Sequence, residues 1–148
     1  MELDQLKTMM AGVVPLNRHL GIEIAELGPG HAVATLPEAP HLLNHVGTQH
    51  AAALFAVAEA ASGAAVAGAL ADVITTVTPL ARSAQITYLK PARGPITASA
   101  RLDCDADEMR AKLDADGKAD FAVAVDLTDG QGVKVAQVGV AWYVRKNG

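Results

Sequence analysis

The sequence predicts an α+β domain in which a largely antiparallel sheet of about six strands wraps one long buried helix, with a further helix at the N-terminus. Three observations carry this. Residues 51–71 carry a single charge, Glu59, so the helix they form has no polar face and belongs in a core. Most of the remaining chain alternates apolar and polar residues, the period of half-buried strands. The links between those later strands are hairpins or short loops, which favour antiparallel neighbours.

Each element has its own signal. Leu3, Leu6, Met10 and Val13 recur at helical spacing over residues 2–14, and Pro15 marks the expected end. Ile22 and Ile24 flank Glu23, Gly28-Pro29-Gly30 makes a turn, and Ala32, Ala34 and Leu36 alternate again, so residues 22–36 read as a hairpin. Pro37 and Pro40 bracket a loop leading to Asn44. The long helix is expected to start near Thr48 or Gln49, with Thr48 as its cap, and to end between Ala69 and Asp72. Residues 75–79 read as a connector, 82–90 as a strand stopped by Pro91, and 95–103 as a strand presenting Ile96, Ala98, Ala100 and Leu102 on one face. Asp105 and Glu108 resemble a capping box for a short helix carrying Met109 and Leu113, with Gly117 as its stop. Phe121 to Leu127 and Ala136 to Val144 form the last two strands around an Asp129–Gly132 turn.

The 148 residues fit a single domain, 1–148. A net charge of −4 gives no footprint for a nucleic-acid partner. Cys104 is the one cysteine, so no internal disulfide forms, and a reducing, cytoplasmic setting is expected. The N-terminal residues lack the basic and apolar regions of a signal peptide. There is no His/Cys cluster suited to a metal. Residues 51–71 are long enough to span a bilayer, but they are mostly Ala and Gly, hold a central Glu, and have no Lys or Arg between Arg18 and Arg82 to anchor an end. A core helix, with no membrane association, is the expectation.

Glu59 is the informative residue. Its helical neighbours are Phe55, Ser62, Gly63, Val66 and Leu70, an apolar stripe with two small residues. The bland reading is a solvated glutamate on an alanine-rich helix, yet the helix offers no polar face to hold it. A carboxylate beside an apolar wall has its ionised form disfavoured, which suits a general base or a nucleophile. At the helix start, free backbone N–H groups can polarise a carbonyl oxygen. Ala51 and Ala52 leave that backbone approachable, and Asn44 and His50 add donors, with a turn residue and a capping residue as the bland readings. Ala51 and Glu59 lie about 12 Å apart along one helix. They cannot flank one reacting carbonyl unless two helices run antiparallel across a two-fold axis, so a catalytic reading requires a homodimer with two composite sites.

The stretch Asn44-x-x-Gly47-Thr48-x-His50-Ala51-x-x-x-Phe55-x-x-x-Glu59 resembles the hotdog-fold acyl-CoA thioesterases of the PaaI-like, phenylacetate-pathway type. Ile86–Arg93 and the closing strand Val133–Arg145 are similar to theirs too. The resemblance implies hydrolysis of an acyl-CoA, or an acyl-carrier-protein thioester, by a homodimer or a dimer of dimers. No cofactor is implied beyond the coenzyme A of the substrate. It makes Glu59 the base or nucleophile and the Ala51 N–H the carbonyl polariser. Asn44 would assist at the oxygen or position water, and His50 would hold the helix start. Glycine is usual where Ala51 and Ala52 stand. Gly47, Thr48 and Phe55 join the site by the same likeness. Ser83 or Ser62 is a candidate to assist Glu59, since Ala81 occupies the position where relatives carry a hydroxyl. Arg82, Lys90 and Arg93 are candidates for the phosphates of coenzyme A, or ordinary sheet-edge charges. The alternatives are a hotdog 3-hydroxyacyl dehydratase or hydratase, in which His45 would act with Glu59, and a non-catalytic acyl-binding protein. Against the first, the Pro-Gly that opens the dehydratase helix is replaced here by His50-Ala51. A structural dimer without ligand leaves Glu59 unexplained.

Overall fold

The computed structural model describes residues 1–148. Its elements are α1 (Leu3–Val13), α2 (Pro15–Leu20), β1 (Glu23–Gly28), β2 (His31–Leu36), α3 (Ala51–Ala69), β3 (Val77–Tyr88), β4 (Ile96–Leu102), α4 (Ala106–Asp116), β5 (Lys118–Thr128) and β6 (Lys134–Lys146). The six strands form one sheet in the order β1-β2-β4-β5-β6-β3, and each neighbouring pair is antiparallel. The sheet curls around α3, as the sequence predicts.

The apolar alternation sets the register. Ala32, Ala34 and Leu36 of β2 face the same way as Ile96, Ala98 and Ala100 of β4, and all are buried. Against them lie Val57, Ala58, Ala61, Ala64 and Ala65 of α3, none of them measurably exposed. Alanine on the helix and on both strands lets the two backbones approach closely, with Leu36 and Ile96 filling the space at one end. Gly68 takes this furthest. A Cβ there would sit 2.1 Å from the Gly28 carbonyl oxygen, so the helix end touches the backbone of the β1–β2 turn. α3 is long and apolar enough to cross a bilayer, but 67% of that stretch is buried inside the domain. It is the core helix.

Three sequence-based boundaries move. Pro15 does not simply end α1. It opens a second short helix, because proline fits the first helical position, where its missing N–H has no intrahelical partner. Residues 77–79, expected as connector, begin β3, because Val77 pairs with Lys146 at the far end of β6. α3 starts at Ala51, later than expected, and His50 rather than Thr48 caps it. Its end, Ala69, is as expected. Asp105 caps α4 as predicted, accepting from the Asp107 and Glu108 N–H groups.

Strands β1 and β3 are the two edges of the sheet, and β3 is the longer. Only the first residue of β3, Val77, is buried, and Leu80 and Tyr88 are both about half exposed. Its inward-facing residues Ala84 and Ile86 pair with Val140 and Val138 of β6, yet α3 leaves that margin of the sheet largely uncovered.

Candidate active site

The chain enters α3 through a knotted loop. Asn44 holds it together: its Oδ1 accepts from the N–H groups of Val46 and Thr48, each at 3.0 Å, and its Nδ2 donates to Thr48 Oγ1 at 2.7 Å. The Asn44 N–H donates to the Thr48 carbonyl at 2.8 Å. Gly47, with φ +81°, supplies the left-handed step that closes this turn. Asn44 and Thr48 thus face each other inside the loop. Gln49 is buried and donates to the carbonyls of Pro37 and Gly94, fixing the loop to both flanking segments.

His50 then caps α3. Its Nδ1 accepts from the Ala52 N–H at 2.9 Å. The capping residue therefore takes up the second helical N–H and leaves that of Ala51 without a partner in the chain. Tyr88, which the sequence reading passed over, donates its hydroxyl to the Ala51 carbonyl at 3.0 Å, tying the helix start to the end of β3. An aromatic residue late in a strand gives no hint of this contact in sequence. It needs the long-range placement of β3.

A cleft of about 380 Å³ opens beside the helix start, walled by Asn44, Thr48, Ala51, Leu54, Tyr88 and Lys90. Three expected site residues and one expected cation share it. The other polar candidates lie elsewhere. Arg82 stacks on the Tyr143 ring at 4.4 Å and pairs with Asp120 at 3.8 Å, on the face of the sheet away from α3. Ser83 sits opposite Ala141 on that same outer face. Arg93 is exposed in the loop before β4. Ser62 is wholly buried. Its hydroxyl donates to the Glu59 carbonyl at 2.7 Å and accepts from the Trp142 indole at 3.3 Å, so it serves the core.

Glu59 lies two turns along α3, partly exposed, on the uncovered strip that also carries Ala52, Phe55, Ala56 and Gly63. Its carboxylate makes no hydrogen bond or ion pair within the chain. Burial against this apolar strip raises its pKa above the ordinary 4.5. An ionised Glu59 is therefore more basic than a solvated one and has no internal partner.

Residues 4–144 match the model of a family described as a domain of unknown function, DUF4442. The chain belongs to the DUF4442 family. No curated protein matches it by sequence. Solved structures show the fold of this DUF4442 chain more widely. It is similar to the Pseudomonas aeruginosa protein PA5026, described as a probable thioesterase, at 24% identity and TM-score 0.82, over 99% of this chain and 97% of that one. It is similar to Escherichia coli PaaI from the phenylacetic acid degradation operon, at 21% identity and TM-score 0.76, over 99% and 94%. The thioesterase HI1161 of Haemophilus influenzae matches at 19% identity and TM-score 0.77, over 99% and 92%. The DUF4442 chain has the hotdog fold of these proteins.

Proposed function

We propose that this protein hydrolyses an acyl thioester, with acyl-CoA as the substrate, in a homodimer whose two sites each draw on both chains. The observation that carries the reading is Glu59: a carboxylate of raised pKa, without a partner, on the one uncovered strip of an apolar helix. The unpartnered Ala51 N–H supplies the second element, a donor for a carbonyl oxygen. The thioesterase names of PA5026 and HI1161 support the same chemistry.

Glu59 of one chain and the partner subunit's Ala51 act together. The partner's N–H polarises the thioester carbonyl. Glu59 takes a proton from water, whose oxygen adds to the carbonyl carbon. The tetrahedral intermediate then collapses, the C–S bond breaks, and the thiolate leaves with the proton returned by Glu59. Desolvation suits Glu59 to this task, since a base works best with a pKa near the operating pH. The exposed margin of β3 and the uncovered strip of α3 are the surfaces available to the second chain. Lys90, which lines the cleft with Ala51, would pair with a phosphate of coenzyme A. A reducing, cytoplasmic setting fits the single free cysteine.

Glu59→Gln should abolish thiol release from acyl-CoA without unfolding the protein. Full activity in that variant would overturn the site. Sedimentation should give a dimer, and a monomer of full activity would overturn the composite geometry.

A further inference from the structure

Two hollows flank the start of α3, and their walls differ in kind. One is the cleft of about 380 Å³ that holds Asn44, Tyr88 and Lys90. The other, of about 280 Å³, lies on the opposite side of the helix start, between α2 and α3. Its walls are Leu16 and Leu20 of α2, Leu42 of the preceding loop, and Ala52, Ala53 and Ala56 of α3, with His41 and His50 as the two polar members. A larger hollow of about 860 Å³ between α1, α2 and β1 is lined by Asp4, Lys7, Arg18 and Glu23, and no residue of α3 reaches it.

The apolar pocket reaches the helical strip that carries Glu59. Ala52, Ala56 and Glu59 follow the i, i+4, i+7 spacing of one helical strip, and the first two line the pocket. When a second α3 runs antiparallel along that strip, its Glu59 comes opposite Ala51 and Ala52, at the pocket's edge.

We infer that the α2–α3 pocket holds the acyl group of the substrate, and that this group is an unsubstituted apolar chain or ring of intermediate size. The inference rests on the thioesterase reading for the placement of the carbonyl. With the carbonyl at the Ala51 N–H, the acyl group drops into the apolar side and the thiol half leaves along the Lys90 side. Size follows from volume. An apolar cavity of about 150 Å³ takes benzene, and drug-sized ligands need about 300 Å³ or more. A pocket of about 280 Å³ therefore suits an octanoyl or phenylacetyl group better than acetyl or palmitoyl. No carboxylate, lysine or arginine lines it, and its two polar members are His41 and His50, so a cationic acyl group would go unpaired.

The test compares acetyl-, octanoyl- and palmitoyl-CoA as substrates of the wild type, Ala56→Leu and Leu16→Glu. Leu16 is already 57% exposed, so its substitution spares the fold. Each methylene taken out of water is worth about fourfold in kcat/KM. The wild type should prefer octanoyl over acetyl by about tenfold or more, and either variant should cut that ratio by about tenfold. An unchanged chain-length profile in both variants overturns the pocket and leaves hydrolysis standing. A second readout separates the two readings. Glu59→Gln should bind octyl-CoA thioether more tightly than CoA alone, and adding Ala56→Leu should remove that difference. If no CoA thioester is hydrolysed but this difference is present and lost in the double variant, the pocket stands and the hydrolytic reading falls. If octyl-CoA thioether binds no better than CoA, the pocket assignment is wrong.

Discussion

Ser62→Ala separates a core serine from a catalytic one. Ser62 is fully buried one turn beyond Glu59, a position from which a hydroxyl in an active site would assist the carboxylate. The structure instead spends both its hydrogen bonds on protein groups. Alanine leaves the Trp142 indole N–H, in a residue only 7% exposed, without an acceptor. An orphaned buried donor costs about 1–3 kcal/mol. The N···O distance of 3.3 Å is long, which places the cost near the lower end. The Glu59 carbonyl keeps its helical hydrogen bond, so losing the serine donor there adds little. Alanine also recovers about 0.5 kcal/mol of helix propensity. The net loss is about 0.5 kcal/mol, or about 1–2 °C in Tm for a chain of this size. Circular dichroism melts check the stability, and thiol release from acyl-CoA checks kcat, which should not change. An unaltered Tm with kcat reduced by about a hundredfold, the scale of a lost proton-transfer group, would refute the reasoning and return Ser62 to the site.

The other predictions test Glu59, the helix packing and the loop. Burial raises the Glu59 pKa above 4.5, so the folded chain holds that proton more tightly than the unfolded one. Stability is then fully present below the ordinary glutamate range and is lost as pH rises through the raised value. Glu59→Gln should therefore melt higher than wild type at neutral pH, and the gain should vanish in melts near pH 4. Thiol release by the wild type should fall as pH drops through the same raised pKa. Gly68→Ala should destabilise by about 3 kcal/mol or more, because its Cβ meets the Gly28 carbonyl oxygen at 2.1 Å. Gly63→Ala, whose Cβ would rest 3.6 Å from the Trp142 ring, should not destabilise and should gain up to about 1 kcal/mol of helix propensity; urea melts of the two decide the order. Asn44→Ala removes the acceptor for two loop N–H groups and should cost about 1–2 kcal/mol, with raised amide exchange at Val46 and Thr48.

Much of the fold was legible because its signals are local. Alternation in residues 96–102 and 121–127 places a strand without reference to anything distant, and the run from Ala51 to Ala69, with its central Glu59 and no flanking cation, favours a core helix over a membrane span. The order of strands was not legible. β3 follows α3 in the chain but sits at the far edge beside β6, a placement set by the pairing of Val77 with Lys146. The cap of α3 was misread for a related reason. Thr48 is a good capping residue by type, but Asn44 already holds its hydroxyl. The loop's internal bonds leave capping to His50, a residue type seldom chosen for it.

The misread cap bears on chemistry as well as on a boundary. Capping by Thr48 would have begun the helix two residues earlier, and Ala51 would then be its third residue, where the capping hydroxyl takes up the backbone N–H. With His50 as the cap, Ala51 is the first helical residue. The imidazole takes the Ala52 N–H and the Ala51 N–H stays free. Tyr88 holds the carbonyl of that same peptide-bearing residue from β3, the strand whose outer margin is open to a second chain. The donor and the open edge of β3 are thus fixed to each other through one hydrogen bond. Glu59 could be singled out from sequence because its oddity is local: one charge in an apolar run. The free N–H could not, because it depends on which neighbouring side chain claims which donor, and that is decided by the Asn44 loop and the far strand together.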